Sequence, residues 1–389
     1  MSEFLSAMLD QREREIFDRA RRFSEEIVRP NAARWERERR MPVEALEAAA
    51  REGLLGLEVP AALGGLGARY LLKLAIAEEM SRADMAFAFS MINTHNVAAK
   101  LAQSAVSRHR EDLVPALMKA EIFGATALSE PGAGSDFAAI GTMARKAEGG
   151  WLLSGEKGWI TNAAVADIFI TYAQTDASAG WRGIACFLVD ARRPGFARKP
   201  AYALMGGHAI GAGGFALEDY FVPDDDLLAG PGTAFKLAMQ SVNGARVYVA
   251  AMCAGMLAAS LEAALDYGAR RHAFGKPLVE HQGLRWSLAD VATDLEALRA
   301  LTRDAGRLID EGRDAVMAAA HAKNFAGRVT VPRIADCIQA MGAAGLREEL
   351  PLGRHLASAK IAAFTDGSTE MMLERIGAGL RAPHTSSGR

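Results

Sequence analysis

The chain is poor in cysteine and carries almost no net charge. Its 389 residues include three cysteines, Cys186, Cys253 and Cys337, and the formal charge is −2. An odd number of widely separated cysteines argues against a disulfide framework and for a reducing compartment. A nearly neutral chain gives no electrostatic reason to expect nucleic acid or an anionic membrane as a partner. The arginines of residues 34–40 are interleaved with glutamates, which is typical of a solvated helix face.

The sequence also lacks a secretion signal, a membrane-spanning run and a metal-ligand pattern. The N-terminus, MSEFLSAMLDQREREIF, has acidic residues and no apolar stretch flanked by basic ones, so we expect no signal peptide. The longest uncharged stretch, Val247 to Leu261, is shorter than the ~20 residues that span a bilayer. We therefore expect a soluble, cytoplasmic protein. No Cys/His pair has ligand spacing, so no metal site is predicted. His95 and His208 could line a pocket, but a hydrogen-bonded structural role is the favoured interpretation.

Hydrophobic periodicity divides the chain into three blocks. Residues 1–120 show the apolar spacing of helices, and residues 229–389 return to long helical patterns with alanine-rich faces. Residues 121–228 contain short alternating or apolar runs separated by Gly, Asp and Pro, which is typical of strands. Half of the residues are hydrophobic, enough for a large core. The order predicts an α+β protein with segregated layers and three domains with these bounds.

A dinucleotide fold of alternating strands and helices is not predicted. Such a fold needs Gly-x-Gly-x-x-Gly between a strand and a helix. The nearest glycine cluster, Gly64-Gly65-Leu66-Gly67, follows Val59-Pro60 between two helical patterns. We interpret this cluster as a turn.

Two short segments of the middle block carry chemical information. The first, residues 128–136, reads Leu-Ser-Glu-Pro-Gly-Ala-Gly-Ser-Asp, and its glycines let backbone N–H groups approach an anion or a planar ring. The second, residues 158–162, reads Gly-Trp-Ile-Thr-Asn at the end of a strand-like run. Taken singly, the first is also compatible with a tight turn and the second with core packing.

Together with residues 271–282, Arg-His-Ala-Phe-Gly-Lys-Pro-Leu-Val-Glu-His-Gln, these segments make the chain resemble the acyl-CoA dehydrogenase family. The resemblance runs from Val59-Pro60 to Asp366-Gly367-Ser368-Thr369-Glu370. It implies an N-terminal helical domain, a central β-barrel and a C-terminal four-helix bundle. It also implies an enzyme that binds FAD between the barrel and the helices and assembles as a homotetramer, a dimer of dimers.

The resemblance assigns cofactor contacts residue by residue. Fixed donors beside a flavin stabilise the electron density that it gains on accepting hydride. Within one subunit the implied FAD contacts are Leu128, Ser129, Ser135, Trp159, Thr161 and Ser368. From the neighbouring subunit the implied contacts are Arg271, Phe274, Gln282 and Gln339, so that assembly and cofactor binding would be linked. Ser135, Arg246 and Gly367 are the implied substrate contacts.

Asp366 is the predicted catalytic base. The family's commonest pattern is Glu-Gly-Thr, and the matching residues here are Asp366-Gly367-Ser368. A subset of the family carries its Glu just before an Arg, but Ala245 precedes Arg246 in this chain. An Asp-Gly-Ser run is also compatible with a loop or helix-cap Asp. The shorter acid withdraws the carboxylate by about 1.5 Å, and a displacement of ~1 Å can lower a rate ~100-fold.

The resulting function hypothesis is the oxidation of the Cα–Cβ bond of an acyl thioester to the enoyl form. The carrier is CoA or an acyl-carrier protein, and the electrons pass to an electron-transfer flavoprotein. The alternative is an oxygen-using flavoenzyme of the same fold, nitroalkane-oxidase-like or N-oxygenating. In such enzymes an Arg seven residues after the Asp assists that Asp. This chain has Leu373 at the corresponding position. A non-catalytic FAD-stabilised protein is the third possibility.

Overall fold

The computed structural model describes residues 9–380; the N-terminal segment considered for a signal peptide begins outside that range. The first domain is helical. Its α-helices are α1 (Gln11–Phe23), α2 (Arg29–Glu38), α3 (Val43–Arg51), α4 (Tyr70–Ala83), α5 (Met85–Leu101) and α6 (Val114–Met118). Asp10 begins α1 with a capping box, in which its carboxylate accepts from the Glu13 N–H at 2.8 Å and its own N–H donates back to the Glu13 carboxylate. Helices α4 and α5 are buried on nearly every face and lie at the centre of the molecule.

The glycine cluster before α4 is a turn, as expected. A short 3-10 helix, Ala61–Leu63, leads into Gly64 and Gly67, whose φ angles are 84° and 56°. A Cβ on Gly65 would lie 2.1 Å from the Val59 carbonyl oxygen, so only glycine fits there.

The middle domain is an eight-stranded sheet. Its strands are β1 (Gly124–Ala127), β2 (Met143–Ala147), β3 (Gly150–Ile160), β4 (Ile168–Gln174), β5 (Ile184–Asp190), β6 (Phe196–Arg198), β7 (Gly213–Pro223) and β8 (Leu227–Ala229). The strand order is β6-β7-β3-β2-β4-β5-β8, and β1 pairs with β4 in parallel. Along β4 the side chains alternate between two cores: Ile168 and Ile170 pack toward the N-terminal helices, and Phe169 packs in the core on the opposite face.

The last domain is again helical. Its α-helices are α7 (Ala234–Arg270), α8 (Gln282–Asp310), α9 (Val316–Met341), α10 (Leu352–Phe364) and α11 (Thr369–Gly379). A two-stranded hairpin, β9 (His272–Ala273) with β10 (Lys276–Pro277), connects α7 to α8. Asp310, the last residue of α8, accepts from the Tyr70 N–H at 2.6 Å and so caps α4 of the first domain. The predicted order of helical, sheet and helical domains is confirmed.

Helix α7 is long and apolar enough to cross a bilayer, with a mean hydropathy of 1.6 in its most apolar window. However, 89% of that window is buried inside the protein. The central helix of a folded core meets the same two criteria, so this helix is weak support for a membrane span.

Candidate active site

Asp366 lies in a strained turn between two helices. After α10 ends at Phe364, Asp366 and Gly367 have φ angles of 55° and 102°, and Ser368 then caps α11 by accepting from the Met371 N–H. Asp tolerates the left-handed region better than most residues. A φ of 102° is a conformation that residues with a side chain rarely adopt, so the position of Gly367 favours glycine. Strained backbone held by its surroundings is a frequent feature of functional sites.

One oxygen of the Asp366 carboxylate is buried and has no hydrogen-bond partner among the described residues. Its Oδ2 is inaccessible to solvent, and none of residues 9–380 donates a hydrogen bond to it. Burial raises the pKa of Asp366 to about 6, although the charges of Lys323 and Arg246 act in the opposite direction. A carboxylate of raised basicity with a free lone pair is suited to accept a proton from carbon.

Two buried cations hold the turn in place. Arg246 of α7 donates from Nε to the Asp366 carbonyl oxygen at 3.0 Å, and its Nη1 donates to Asn243 at 2.7 Å. Lys323 of α9 is 1% exposed and donates to the carbonyl oxygens of Gly367 at 3.2 Å and Ala363 at 3.5 Å. Sequence reasoning missed Lys323; its only signal was a charge among Ala319, Ala322 and Ala326, all buried.

Two phenols lie on the inner side of Asp366. Tyr70 of α4 donates to the Gly244 carbonyl oxygen at 2.5 Å, and Tyr248 follows Arg246 on α7. Burial, and after it the negative charge of Asp366, raise the pKa of Tyr248 well above its ordinary value. The same two effects, with the charge of Glu58, raise the pKa of Tyr70. Both phenols are therefore neutral and close enough to Asp366 to sense its charge.

The two predicted flavin segments meet in the structure. The Gly158 N–H donates to the Ser129 carbonyl oxygen at 3.1 Å, which places the Leu128–Ser129 pair beside the Trp159–Thr161 turn. Trp159 has a φ of 61°, is 62% exposed and packs on Tyr202 with ring centroids 4.5 Å apart.

Ser135, another of the implied FAD contacts, lies on an open stretch of the loop of residues 128–136. Ser135 is exposed, and a Cβ on Gly132 or Gly134 would meet no atom within 4 Å. An exposed indole near an open glycine loop fits a planar ring with a phosphate tail. The residues present therefore fit a flavin dinucleotide.

Buried polar contacts that the sequence did not reveal stabilise the loop of residues 128–136. Glu130 accepts from Lys157 Nζ at 2.8 Å and from the N–H groups of Gly141 at 2.6 Å and Thr142 at 3.0 Å. Lys157 also donates to the Leu128 carbonyl oxygen at 3.2 Å. The pair thus holds the loop against β3.

Asn162, fully buried, secures the end of the second segment. Its amide nitrogen donates to the carbonyl oxygens of Ser90 at 3.0 Å and Gly124 at 3.1 Å, and to Thr94 Oγ1 at 3.0 Å. The φ of Asn162 is 64°, and Asn adopts this conformation more readily than most residues. The Trp159–Thr161 turn is thereby attached to α5 and β1.

The residues expected to reach a neighbouring subunit are far from Asp366 within one chain. Arg271 follows Arg246 by about 25 residues, roughly 37 Å of helix at 1.5 Å per residue. Arg271, Gln282 and Gln339 are exposed, and Phe274 is 97% exposed at a φ of 51°. Their contact with a second chain stays a prediction. His95 has the structural role expected, since its Nε2 lies 3.0 Å from a Glu58 oxygen.

Comparisons with known proteins agree with this architecture. Three domain profiles of acyl-CoA dehydrogenase match: the N-terminal domain over residues 10–153, the middle domain over 125–220 and the C-terminal domain over 232–381. The chain is 34% identical over 352 residues to the mitochondrial short-chain specific acyl-CoA dehydrogenase of Bos taurus, covering 90% of this chain and 85% of that protein.

Solved structures show the same likeness. Butyryl-CoA dehydrogenase from Megasphaera elsdenii superposes with a TM-score of 0.91 at 30% identity, covering 96% of this chain and 98% of that one. A structure of PigA with FAD and proline gives a TM-score of 0.90 at 26% identity, with coverage of 96% and 98%. The chain therefore belongs to the acyl-CoA dehydrogenase family and is an oxidoreductase.

Proposed function

We propose that this protein uses FAD to oxidise the Cα–Cβ bond of a short acyl thioester, with Asp366 as the base that removes the α proton. The observation that carries the proposal is the Asp366 carboxylate, which lies on a strained turn and whose Oδ2 is buried with no hydrogen-bond partner among residues 9–380. The short acyl chain is supported by the relatives, which are named for short-chain acyl-CoA and butyryl-CoA.

The side chains around Asp366 have separable roles in this proposal. Asp366 takes the Cα proton, for which it must be ionised, and its raised pKa makes it a stronger acceptor than an exposed Asp. Within residues 9–380, Arg246 and Lys323 donate hydrogen bonds only to neutral groups, so their charges offset the burial of the carboxylate without consuming its Oδ2 lone pair. Tyr70 and Tyr248 cover the inner side of the site and keep water from Cα.

FAD would supply the acceptor for the hydride that leaves Cβ as the proton leaves Cα. The chain's contribution is the platform for it: the Ser129 and Thr161 hydroxyls as donors, the Trp159 indole as a stacking face, and the open Gly132–Gly134 loop for the phosphates. Substrate is proposed to arrive as a CoA thioester, with an acyl-carrier protein as the alternative carrier. We propose an electron-transfer flavoprotein as the electron acceptor.

The proposal is tested by reducing the bound flavin with butyryl-CoA under anaerobic conditions and measuring the rate from the flavin absorbance in a stopped-flow instrument. Asp366→Asn keeps the side-chain shape and removes the proton acceptor, so the rate should fall ~10²–10⁴-fold, the usual contribution of a positioned base. Glu370→Gln is the matched control, since it removes an exposed carboxylate four positions away and should leave the rate unchanged.

Three outcomes would count against the proposal. A colourless protein that fails to take up added FAD would remove the cofactor. Near-wild-type reduction in Asp366→Asn would remove the base, because Asn would then be serving only as a turn residue. Rapid reoxidation of the reduced enzyme by air, with product formed in proportion to oxygen consumed, would favour the oxygen-using alternative.

A further inference from the structure

Four polar side chains, here called the polar wall, lie on the inner side of Asp366: Tyr248, Asn93, Asn96 and Lys73. A plain alkyl chain would need apolar neighbours there. Tyr248 is part of this wall, and across from it lies α5. Phe89 packs on Tyr248 with ring centroids 6.2 Å apart, and Asn96 donates from its amide nitrogen to the Tyr248 hydroxyl at 3.3 Å. Asn93 follows Phe89 by four positions and precedes Asn96 by three, so it lies on the same face of α5 as the two residues that contact Tyr248.

The hydrogen bonds of this wall leave two groups unused. Lys73 donates to Asn96 Oδ1 at 2.7 Å, which fixes the Asn96 amide with its nitrogen toward Tyr248. The Tyr248 oxygen is therefore an acceptor in that bond, and its own proton has no acceptor among residues 9–380. The Asn93 Oδ1 is also buried without a hydrogen-bond partner in the same range.

Charge on the wall is already neutralised. Lys73 donates to Glu58 at 2.6 Å and lies 5.3 Å from the ring centroids of both Tyr70 and Tyr248. A carboxylate on the ligand would have to displace Glu58 from Lys73 and would be repelled by Asp366. A neutral group that both accepts and donates meets neither difficulty, and a hydroxyl can accept from Tyr248 and donate to Asn93.

We propose that the acyl chain of the substrate carries a hydroxyl group beyond Cβ, bound between Tyr248 and Asn93. This inference rests on the proposed function, because it assigns the space between Asp366 and Tyr248 to the acyl chain. Burying the hydroxyl there satisfies the two unused groups, whereas an alkyl chain of the same size leaves both unpaired in a buried site.

The test compares isosteric ligands by titration calorimetry. Asp366→Asn holoenzyme is used so that turnover does not interfere, and the ligand pairs differ by OH against CH₃: 4-hydroxybutyryl-CoA with pentanoyl-CoA, and 5-hydroxypentanoyl-CoA with hexanoyl-CoA. Succinyl-CoA and glutaryl-CoA supply a carboxylate. We expect the better hydroxylated ligand to bind about 10–100-fold more tightly than its isostere, the effect of one or two unpaired buried groups.

Substitutions then locate the preference. In Tyr248→Phe combined with Asp366→Asn, the ratio of the alkyl-ligand Kd to the hydroxylated-ligand Kd should fall toward one, and Asn93→Leu in the same background should lower this ratio as well. Tyr267→Phe is the matched control, on the same helix but roughly 28 Å away at 1.5 Å per residue, and it should keep the ratio.

Each remaining outcome has a defined meaning. Equal or tighter binding of the alkyl ligand at both lengths, tightest binding of a dicarboxylic ligand, or a preference that survives Tyr248→Phe would overturn the inference. No binding by any acyl-CoA would overturn it together with the thioester assignment. Failure of wild-type flavin reduction, with the hydroxyl preference intact, would contradict only the proposed oxidation.

Discussion

Asp366 has an environment that favours its protonated form and a proposed role that requires the ionised one. Burial outweighs the neighbouring charges of Lys323 and Arg246, so the folded protein holds this carboxyl with a pKa of about 6, above the ordinary 3.8. Ionisation at neutral pH therefore opposes folding. This is the pattern of a residue retained for chemistry, since stability would be better served by a neutral side chain.

The first prediction concerns stability. A folded-state pKa above the unfolded one means that the folded chain binds more protons, so the contribution of Asp366 is favourable below pH 4 and is lost as pH rises to 6. Asp366→Asn mimics the protonated form. It should be more stable than wild type at pH 7.5, by at most roughly 3 kcal/mol, and the difference should shrink toward pH 4.5. Scanning calorimetry at both pH values measures this, and a variant that melts lower at pH 7.5 would contradict it.

The second prediction concerns the pH profile of flavin reduction. Because the base must be ionised, the rate should rise with pH, reach half its maximum near the pKa of about 6 and then level off. Charged groups that face Asp366 are Lys323 and Arg246; burial lowers the pKa of both side chains, that of Arg246 to about 10. Stopped-flow reduction between pH 5 and 8.5 gives the profile. In Asp366→Asn the residual rate should lose this step; an unchanged step would assign it to another group.

At the scale of elements, the loop of residues 128–136 depends on one buried ion pair. Lys157 of β3 is fully buried, and burial lowers its pKa to about 8 despite the opposing charge of Glu130. Glu130 is 8% exposed and also accepts two backbone N–H groups from the segment before β2. Removing one partner of such a pair leaves the other as a buried, unpaired charge.

The third prediction follows from that pair. Lys157→Met should destabilise the protein by about 3–5 kcal/mol, and it should weaken FAD retention because the Leu128 carbonyl and the loop lose their anchor. Lys199→Met is the control, since Lys199 pairs with Glu156 at the surface and such pairs contribute little. Thermal unfolding and the ratio of flavin to protein after gel filtration give both readouts. Equal behaviour of the two variants would show that the pair does not hold the loop.

At the scale of the whole molecule, hydrophobic periodicity and local motifs were sufficient to predict the domains and the Asp366 turn. The buried polar contacts between residues distant in sequence were not predicted. The three blocks followed from periodicity, and the Asp366 turn from a motif of adjacent residues. The Glu130–Lys157 pair, the Asn162 contacts and the Lys323 cation join residues of different elements. In a sequence, such charged and polar residues look like solvated ones, because nothing local marks them as buried.

A single chain also does not bring all of the predicted cofactor residues together. Arg246 holds the Asp366 turn, whereas Arg271 and Phe274 follow the far end of the same helix. Both are exposed, and the Phe274 ring lies 6.1 Å from the His281 ring between centroids. An almost fully exposed aromatic side chain at a hairpin tip is a common sign of a protein contact. We therefore expect a second copy of the chain to bring these residues to the cofactor, in an arrangement in which each copy serves the other.

The last prediction tests this exchange by complementation. Arg271→Ala should weaken FAD retention and activity, and Asp366→Asn should remove the base, so each homomer should be strongly impaired. If Arg271 serves the neighbour's flavin, a mixed dimer has one site with wild-type Asp366 and wild-type Arg271 and one site that lacks both. Random assembly of equal amounts should then restore about a quarter of wild-type activity. Co-expressed chains with different affinity tags, purified on both tags, isolate the mixed species. These should reach about half of wild-type activity in a dimer and roughly 30% in a dimer of dimers, where some purified tetramers still contain an unmixed dimer. If both residues act within one chain, neither mixture regains activity, since each site would still carry one substitution.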